Sequence, residues 1–241
     1  MQISVVMPVL NEAAEINASL LALAPLRAAG HEVIVVDGAS FDNTVALCEG
    51  QADVVVQGPR GRALQMNAGA ALAIGDVLLF SHADTRLPIQ ALAAIKHAVE
   101  GGASWGRFDV KISGGSLMFP VIATMMNLRS RCTGIATGDQ AIFIKRALFE
   151  RLGGYADLPL MEDIDLSRRL LAHSRPACLR ERVVTSGRRW ERDGVWPTVL
   201  LMWRLRWRFW RGDAVLTLAR SYPFSNSTSS KLPDVSRATD K

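Results

Sequence analysis

VLLFSHADTRLP, residues 77–88, opens on four apolar residues and then turns abruptly polar. Such a run reads as a buried strand, which puts Ser81-His82-Ala83-Asp84-Thr85 at the strand's carboxyl end. Ligands of open α/β sheets bind outside those ends. A carboxylate placed there, Asp84, two residues after a His, needs a ligand to explain it.

The same alternation extends in both directions. Residues 2–7 (QISVVM) form a strand ended by Pro8, and Asn11 caps the helix that follows, with Glu12 and Glu15 in its first turn. Ile16, Leu20, Leu23 and Leu26 repeat at helical spacing until Gly30. A second buried strand, EVIVV at 32–36, leads into Asp37-Gly38-Ala39-Ser40. A helix from about residue 41, a strand at 54–56, a helix at 61–73 and the strand at 77–80 complete four β-α units. Downstream come a helix to about residue 100, a strand at 105–112, a Met-rich helical stretch at 114–131, a strand at 140–144 and helices at 160–171 and 195–210. Strands alternating with helices predict an α/β fold, a Rossmann-like and mostly parallel sheet flanked by helices. The expected division is a main domain at 1–194, a basic Trp-rich amphipathic segment at 195–222 and a disordered Ser/Thr-rich tail at 223–241.

With 241 residues, 49% of them hydrophobic, the chain can bury one large core. Residues 1–3 run straight into a strand without the basic segment of a secretory leader, and no uncharged apolar stretch reaches the roughly 18 residues of a membrane span. Cys48, Cys132 and Cys178 are scattered without metal-ligand spacing, which predicts reduced thiols, small core residues and a cytoplasmic setting. His31, His82, His97 and His173 form no metal-binding spacing either. The net charge of +5 is lopsided, since residues 180–220 hold ten Arg against four acids.

Three polar clusters follow successive strands: Pro8-Val9-Leu10-Asn11-Glu12, Asp37-Gly38-Ala39-Ser40 and His82-Ala83-Asp84. Together they describe a pocket on one rim of one sheet. Arg60-Gly61-Arg62 precedes a helix, where planar guanidinia and the helix dipole suit phosphate; an isolated Arg-Gly-Arg is otherwise a solvated turn. Gln65 and Asn67 inside that helix are harder to read as filler, because Asn is a weak helix former. Glu162-Asp163 fits the first turn of a helix on electrostatic grounds alone.

The order Pro8-Val9-x-Asn11-Glu12, Asp37-Gly38-x-Ser40-x-Asp42-x-Thr44, a single Asp84, Gly138-Asp139-Gln140 and Glu162-Asp163 resembles the family 2 glycosyltransferases with the GT-A fold. Gly61-Arg62-Ala63-x-Gln65-Met66-Asn67-x-Gly69-Ala70 and Arg188-Arg189-Trp190 resemble a small bacterial branch of that family. The resemblance implies that Asp84 binds a divalent cation, Mn²⁺ or Mg²⁺, on a nucleotide-diphosphate sugar. Where the family pattern carries a first Asp, this chain has His82, a second ligand or a structural hydrogen-bonder. The resemblance further implies that Pro8, Val9, Asn11, Glu12, Asp37 and Gly38 hold the nucleoside. Arg62, Gln65, Asn67 and Arg189 would serve the donor, and Asp163, beside Glu162, would be the general base. Asp139 binds a sugar hydroxyl or simply makes a turn, and Trp105 to Asp109 shape an acceptor pocket or belong to the core.

In VWPTVLLMWRLRWRFWRG, residues 195–212, Trp196, Trp203, Trp207 and Trp210 fall within about 60° of one another on a helix. Leu201, Met202, Leu205 and Phe209 lie opposite, with Arg between the two faces. One face suits the domain and the other an anionic membrane surface; a second subunit is the alternative. No nucleic-acid module is recognisable. The expected function is inverting, metal-assisted transfer from a UDP- or GDP-sugar to an acceptor hydroxyl, including a lipid-linked one, at the cytoplasmic face of a membrane. The alternatives are a nucleotidyltransferase of similar fold, which would want a Gly-rich basic loop after the first strand, and a non-catalytic membrane-associated scaffold.

Overall fold

The structure, a computed structural model, describes residues 1–220. One eight-stranded sheet organises the chain: β1 (Ile3–Val9), β2 (Glu32–Asp37), β3 (Val54–Gln57), β4 (Val77–Phe80), β5 (Thr85–Arg86), β6 (Trp105–Ser113), β7 (Ile142–Lys145) and β8 (Ala177–Ser186). Among the described residues ten α-helices accompany it: α1 (Ile16–Ala28), α2 (Thr44–Cys48), α3 (Arg62–Leu72), α4 (Ala91–Glu100), α5 (Phe119–Thr133), α6 (Arg146–Arg151), α7 (Glu162–Leu171), α8 (Arg188–Asp193), α9 (Val195–Trp210) and α10 (Val215–Arg220). The strand order is β3-β2-β1-β4-β7-β6-β8-β5.

β1, β2 and β4 at the centre are buried on both faces, as continuous Val/Ile/Leu runs require. One core lies on the α1/α4/α5 side and holds Ile16, Leu20, Leu23 and Ile95. The other lies on the α3/α7 side and holds Met66, Leu166 and Leu170. Gly69 lets α3 approach the sheet closely, for a Cβ there would meet Val6 Cγ1 at 2.5 Å and Val36 Cγ2 at 3.0 Å. The chain winds β1, β2, β3 outward and then crosses back to set β4 on the other side of β1. That reversal opens a crevice at the carboxyl ends of β1 and β4.

The sheet is more mixed than the sequence predicts. β1 pairs in parallel with β2 and β4, and so do β2 with β3 and β6 with β8. β7 runs antiparallel between β4 and β6, and β5 antiparallel to β8. β8 and α8 escape the sequence reading because ACLRERVVTS is charged and only half-buried, as an outer strand can be. Asn11 is not a cap: it sits at φ 55°, and α1 starts only at Ile16 with no side-chain cap. The helix expected from residue 41 begins at Thr44, after a turn built by Asp42. Of the cysteines only Cys48 is buried; Cys132 is exposed. Met125 is exposed too, whereas Met118 and Met126 pack on the core. Trp105 is fully buried, with its indole N–H donating to Ser174 O at 2.9 Å. The tail from 223 lies outside the described residues.

Candidate active site

Two loops interlock at the carboxyl ends of β1 and β2. The turn after β2 offers acceptors: Asn11 N–H donates to Ser40 Oγ (2.8 Å), Glu12 N–H to Thr44 Oγ1 (2.8 Å) and Ala13 N–H to Asp42 Oδ2 (3.2 Å). Asn11 returns the favour by accepting from Phe41 N–H at 3.0 Å. Asn11 takes a left-handed backbone, φ 55°, which Asn tolerates well. Asp37 is buried and accepts from Ser40 N–H at 2.9 Å through Oδ2, while its Oδ1 is buried without a partner. A buried carboxylate oxygen left in this state is costly unless something completes it.

Pro8 and Val9, expected at the nucleoside, are buried strand residues. Val9 O already accepts from Gly38 N–H (2.9 Å) and Gln65 Nε2 (2.8 Å). Gln65 is spent as well: its amide also donates to Val36 O at 2.8 Å, lacing β1 to β2. Gly38 is small because a Cβ would press on that amide at 3.0 Å. Asn67 grips the backbone of Tyr155 from both sides, donating to its O at 2.8 Å and accepting from its N–H at 2.9 Å. The structure therefore assigns Gln65 and Asn67 to scaffolding.

The charged residues do converge. Arg62, at the first turn of α3, pairs with the buried Glu162 at 3.3 Å and lies within electrostatic range of Asp163, Asp139 and Asp84. Glu162 is thus the partner that anchors Arg62; burial raises its carboxyl above the ordinary range, against the pull of Arg62. Asp163 accepts from Gly138 N–H (2.8 Å) and from Ile164 N–H (2.7 Å), which fixes its carboxylate. Asp139 stands half-exposed on the 138–140 turn, 3.9 Å from His82 Nδ1. His82 packs against Gly138, where a Cβ would meet its ring at 2.5 Å. Burial and the charge of Arg62 push the His82 imidazole down to about 3, so it is neutral at physiological pH.

Asp84 is held between two strands, since β4 ends at Phe80 and Thr85 already pairs with Thr185 of β8. Burial, with Asp139 and Glu12 near by, pushes its carboxyl up to about 6. Arg188 bonds Glu12 at 3.2 Å and Glu15 at 3.5 Å, so it closes the rim from α8. Arg189, expected at the diphosphate, lies 3.9 Å from Asp193 and within electrostatic range of Asp139 and Arg62. Three neighbours had no signal in the sequence: Arg129 of α5 and Arg206 of α9, both sensing Asp163 and Asp139, and the buried phenol of Tyr155 beside Asp163 and Glu162.

Among the described residues no cluster of three His, Cys, Asp or Glu side chains could hold a metal unaided. The donor set still fits a hard cation. Asp84 and Asp139 supply carboxylate oxygen at a spot crowded with negative charge, and Mg²⁺ or Mn²⁺ readily takes its remaining ligands from phosphate and water.

Residues 4–152, more than half of the chain, match the model of glycosyl transferase family 2, and the chain belongs to that family. Its fold is similar to that of S. aureus TarS at 20% identity and a TM-score of 0.63, over 77% of this chain and 37% of that one. It is similar to glucosyl-3-phosphoglycerate synthase from Mycobacterium tuberculosis in complex with Mn²⁺, UDP and glucosyl-3-phosphoglycerate. There the identity is 19% and the TM-score 0.57, over 75% and 70% of the two chains. A mannosyltransferase from Pyrobaculum calidifontis in complex with GDP-Man and Mn²⁺ gives 23% and 0.57, over 76% and 56%. This chain therefore spans little more than a third of the matched TarS chain and 60% of TarS 1–349 in complex with UDP. No curated protein matches the sequence.

The scaffold role of Gln65 is testable. Gln65→Glu would set a carboxylate against two buried carbonyl oxygens and cost about 3 kcal/mol in urea unfolding. An unchanged unfolding midpoint with weakened nucleotide binding would return Gln65 to the ligand.

Proposed function

We propose that the protein transfers a glycosyl group, with inversion, from a nucleotide-diphosphate sugar to an acceptor hydroxyl presented at a membrane surface. The observation that supports this best is the meeting of Asp84, Asp139, Glu162 and Asp163 around Arg62, at the crevice where the sheet reverses. Asp37 Oδ1 supplies the unpaired acceptor that a ribose hydroxyl or base N–H would fill. Arg62, oriented by Glu162, directs a guanidinium fork toward diphosphate oxygens. Arg188 steadies Glu12 at the mouth.

Asp84, with Asp139, would hold the divalent cation, which when bound neutralises charge on the departing nucleoside diphosphate. Asp163, fixed by two backbone N–H groups, accepts the proton of the incoming hydroxyl. The acceptor oxygen forms its bond to the anomeric carbon as the carbon–oxygen bond to the diphosphate breaks, the electron pair leaving with the diphosphate. A single displacement of this kind inverts the anomeric centre.

Helix α9 supports a membrane setting. Leu205 is buried and Leu201, Met202 and Phe209 pack beside it, while Trp196, Trp203, Trp207 and Trp210 are 54–77% exposed. Arg211 stacks over Trp207 at 4.6 Å. A row of exposed indoles flanked by Arg matches the headgroup layer. No helix among the described residues is long and apolar enough to cross a membrane.

Removing the base tests the chemistry. Asp163→Asn should lower kcat for nucleoside diphosphate release by about 10²–10⁴-fold while UDP- or GDP-sugar still binds; a retained kcat would contradict the assignment. For the surface, wild-type protein should float with vesicles containing anionic lipid and the Trp203→Ala/Trp207→Ala double variant should not. Equal recovery of both in the soluble fraction would remove the membrane from the account.

A further inference from the structure

Helix α5 is apolar on both sides. Its inner face, Phe119, Ile122 and Ala123, is buried in the core shared with Phe108 and Val110 of β6. Its outer face carries Val121, Met125 and Leu128, with Leu117 one turn before them, and these four are 51–93% exposed. Spacings of four, four and three put them along one stripe. α9 has the same pattern, with Trp196, Leu200, Trp203, Trp207 and Trp210 outside and Leu205 inside. The two stripes hold nine of the fifteen exposed large apolar side chains among the described residues, so this exposure is concentrated rather than scattered.

Contacts at both ends set the two helices side by side. At the start of α5, Gly115 N–H donates to Glu191 Oε1 of α8 at 3.1 Å. The ring of Phe119 lies so near Gly187 that a Cβ there would meet it at 2.6 Å. α9 leaves α8 directly, and Val195 packs on the same core as Phe119 and Ile122. Just past the end of α5, Ile135 packs in the cluster of Met161, Ile164 and Leu205, with Leu201 and Phe209 of α9. The helices therefore run in the same direction, each for about 20 Å. Their inner faces rest on one body, and their outer stripes open to the same outside.

Charge selects the occupant. Residues 114–138 and 194–212 contain six Arg and neither Asp nor Glu. Arg131 is committed to Asp109 and Arg208 to Asp213, while Arg204 and Arg211 are exposed beside the Trp stripe. A second copy docked through the same patch would set these arginines against themselves. Aliphatic side chains and indoles bordered by Arg instead match the acyl boundary and phosphate layer of an anionic bilayer.

We propose that α5 joins α9 in a two-helix surface that lies on an anionic bilayer, with Leu117, Val121, Met125 and Leu128 seated below the headgroups. This rests on the membrane reading of α9 above and adds a second, aliphatic contact. A single helix can roll about its axis on a surface, whereas two held side by side fix the domain in one orientation.

The test uses the full chain and phosphatidylcholine vesicles with and without phosphatidylglycerol. The triple variant Val121→Gln/Met125→Gln/Leu128→Gln should bind the mixed vesicles about tenfold more weakly than wild type or worse. Its melting temperature and its affinity for UDP- or GDP-sugar should not change, because the replaced side chains are exposed and Gln is a good helix former. A nitrobenzoxadiazole label on Leu117→Cys, combined with Cys132→Ser and Cys178→Ser so that only the buried Cys48 remains, should shift its emission to the blue on mixed vesicles. Vesicle binding by the triple variant equal to wild type, with the Trp203→Ala/Trp207→Ala variant still unbound, overturns the role of α5 and leaves that of α9 standing. A label already blue-shifted in buffer overturns it too, since residues 221–241 or a second copy would then cover the face. A wild-type chain that binds neither vesicle ends both membrane readings.

Discussion

Four carboxylates gathered around one guanidinium cannot persist without help. Arg62 pairs with the buried Glu162, yet Asp163, Asp139 and Asp84 share its field. Like charges gathered at one rim repel by energies that matter even there. Burial, and after it the nearby Asp139 and Glu12, raises the Asp84 carboxyl. The chain maintains the cluster because each acid is fastened from its backbone side. Asp84 lies between β4 and the short β5, Asp163 is bonded to the 138–140 turn, and Glu162 sits in the first turn of α7. A strained arrangement of charge fixed by rigid elements is what a site for a cation and a diphosphate requires.

The rest of the rim follows from that need for fixity. Gln65 ties β1 to β2, Asn67 ties α3 to the backbone at Tyr155, and the loop of Ser40, Asp42 and Thr44 holds residues 11–13. Through Leu205, α9 docks on Met161 and Ile164, the residues that flank the candidate base.

Much of this was legible in the sequence because it depends on strand ends. Apolar runs that stop at Asp37 and Asp84 announce both the strands and the rim, and the two faces of α9 follow from periodicity alone. What was not legible depends on pairing at a distance. A charged, half-buried strand such as β8 carries no apolar run and stayed hidden, and the apolar run of β7 does not say that it pairs antiparallel with β4 and β6. Gln65 and Asn67 look like ligand-binding residues from their side chains, and only their distances to Val9, Val36 and Tyr155 show that backbone claims them. Arg188 and Arg189 are adjacent in sequence, and α8 rather than residue type decides which of them reaches Glu12. Arg129 lies in an unremarkable helix, and nothing short of the fold places it near Asp163.

A crystal structure of the full chain with UDP-glucose or GDP-mannose and Mn²⁺ tests the central claim most directly. The account requires anomalous manganese density at Asp84, the diphosphate within reach of Arg62, and the anomeric carbon open to Asp163 on the face opposite the leaving group. A nucleotide bound away from the carboxyl ends of β1 and β4, or a sugar that turns no face toward Asp163, would contradict it.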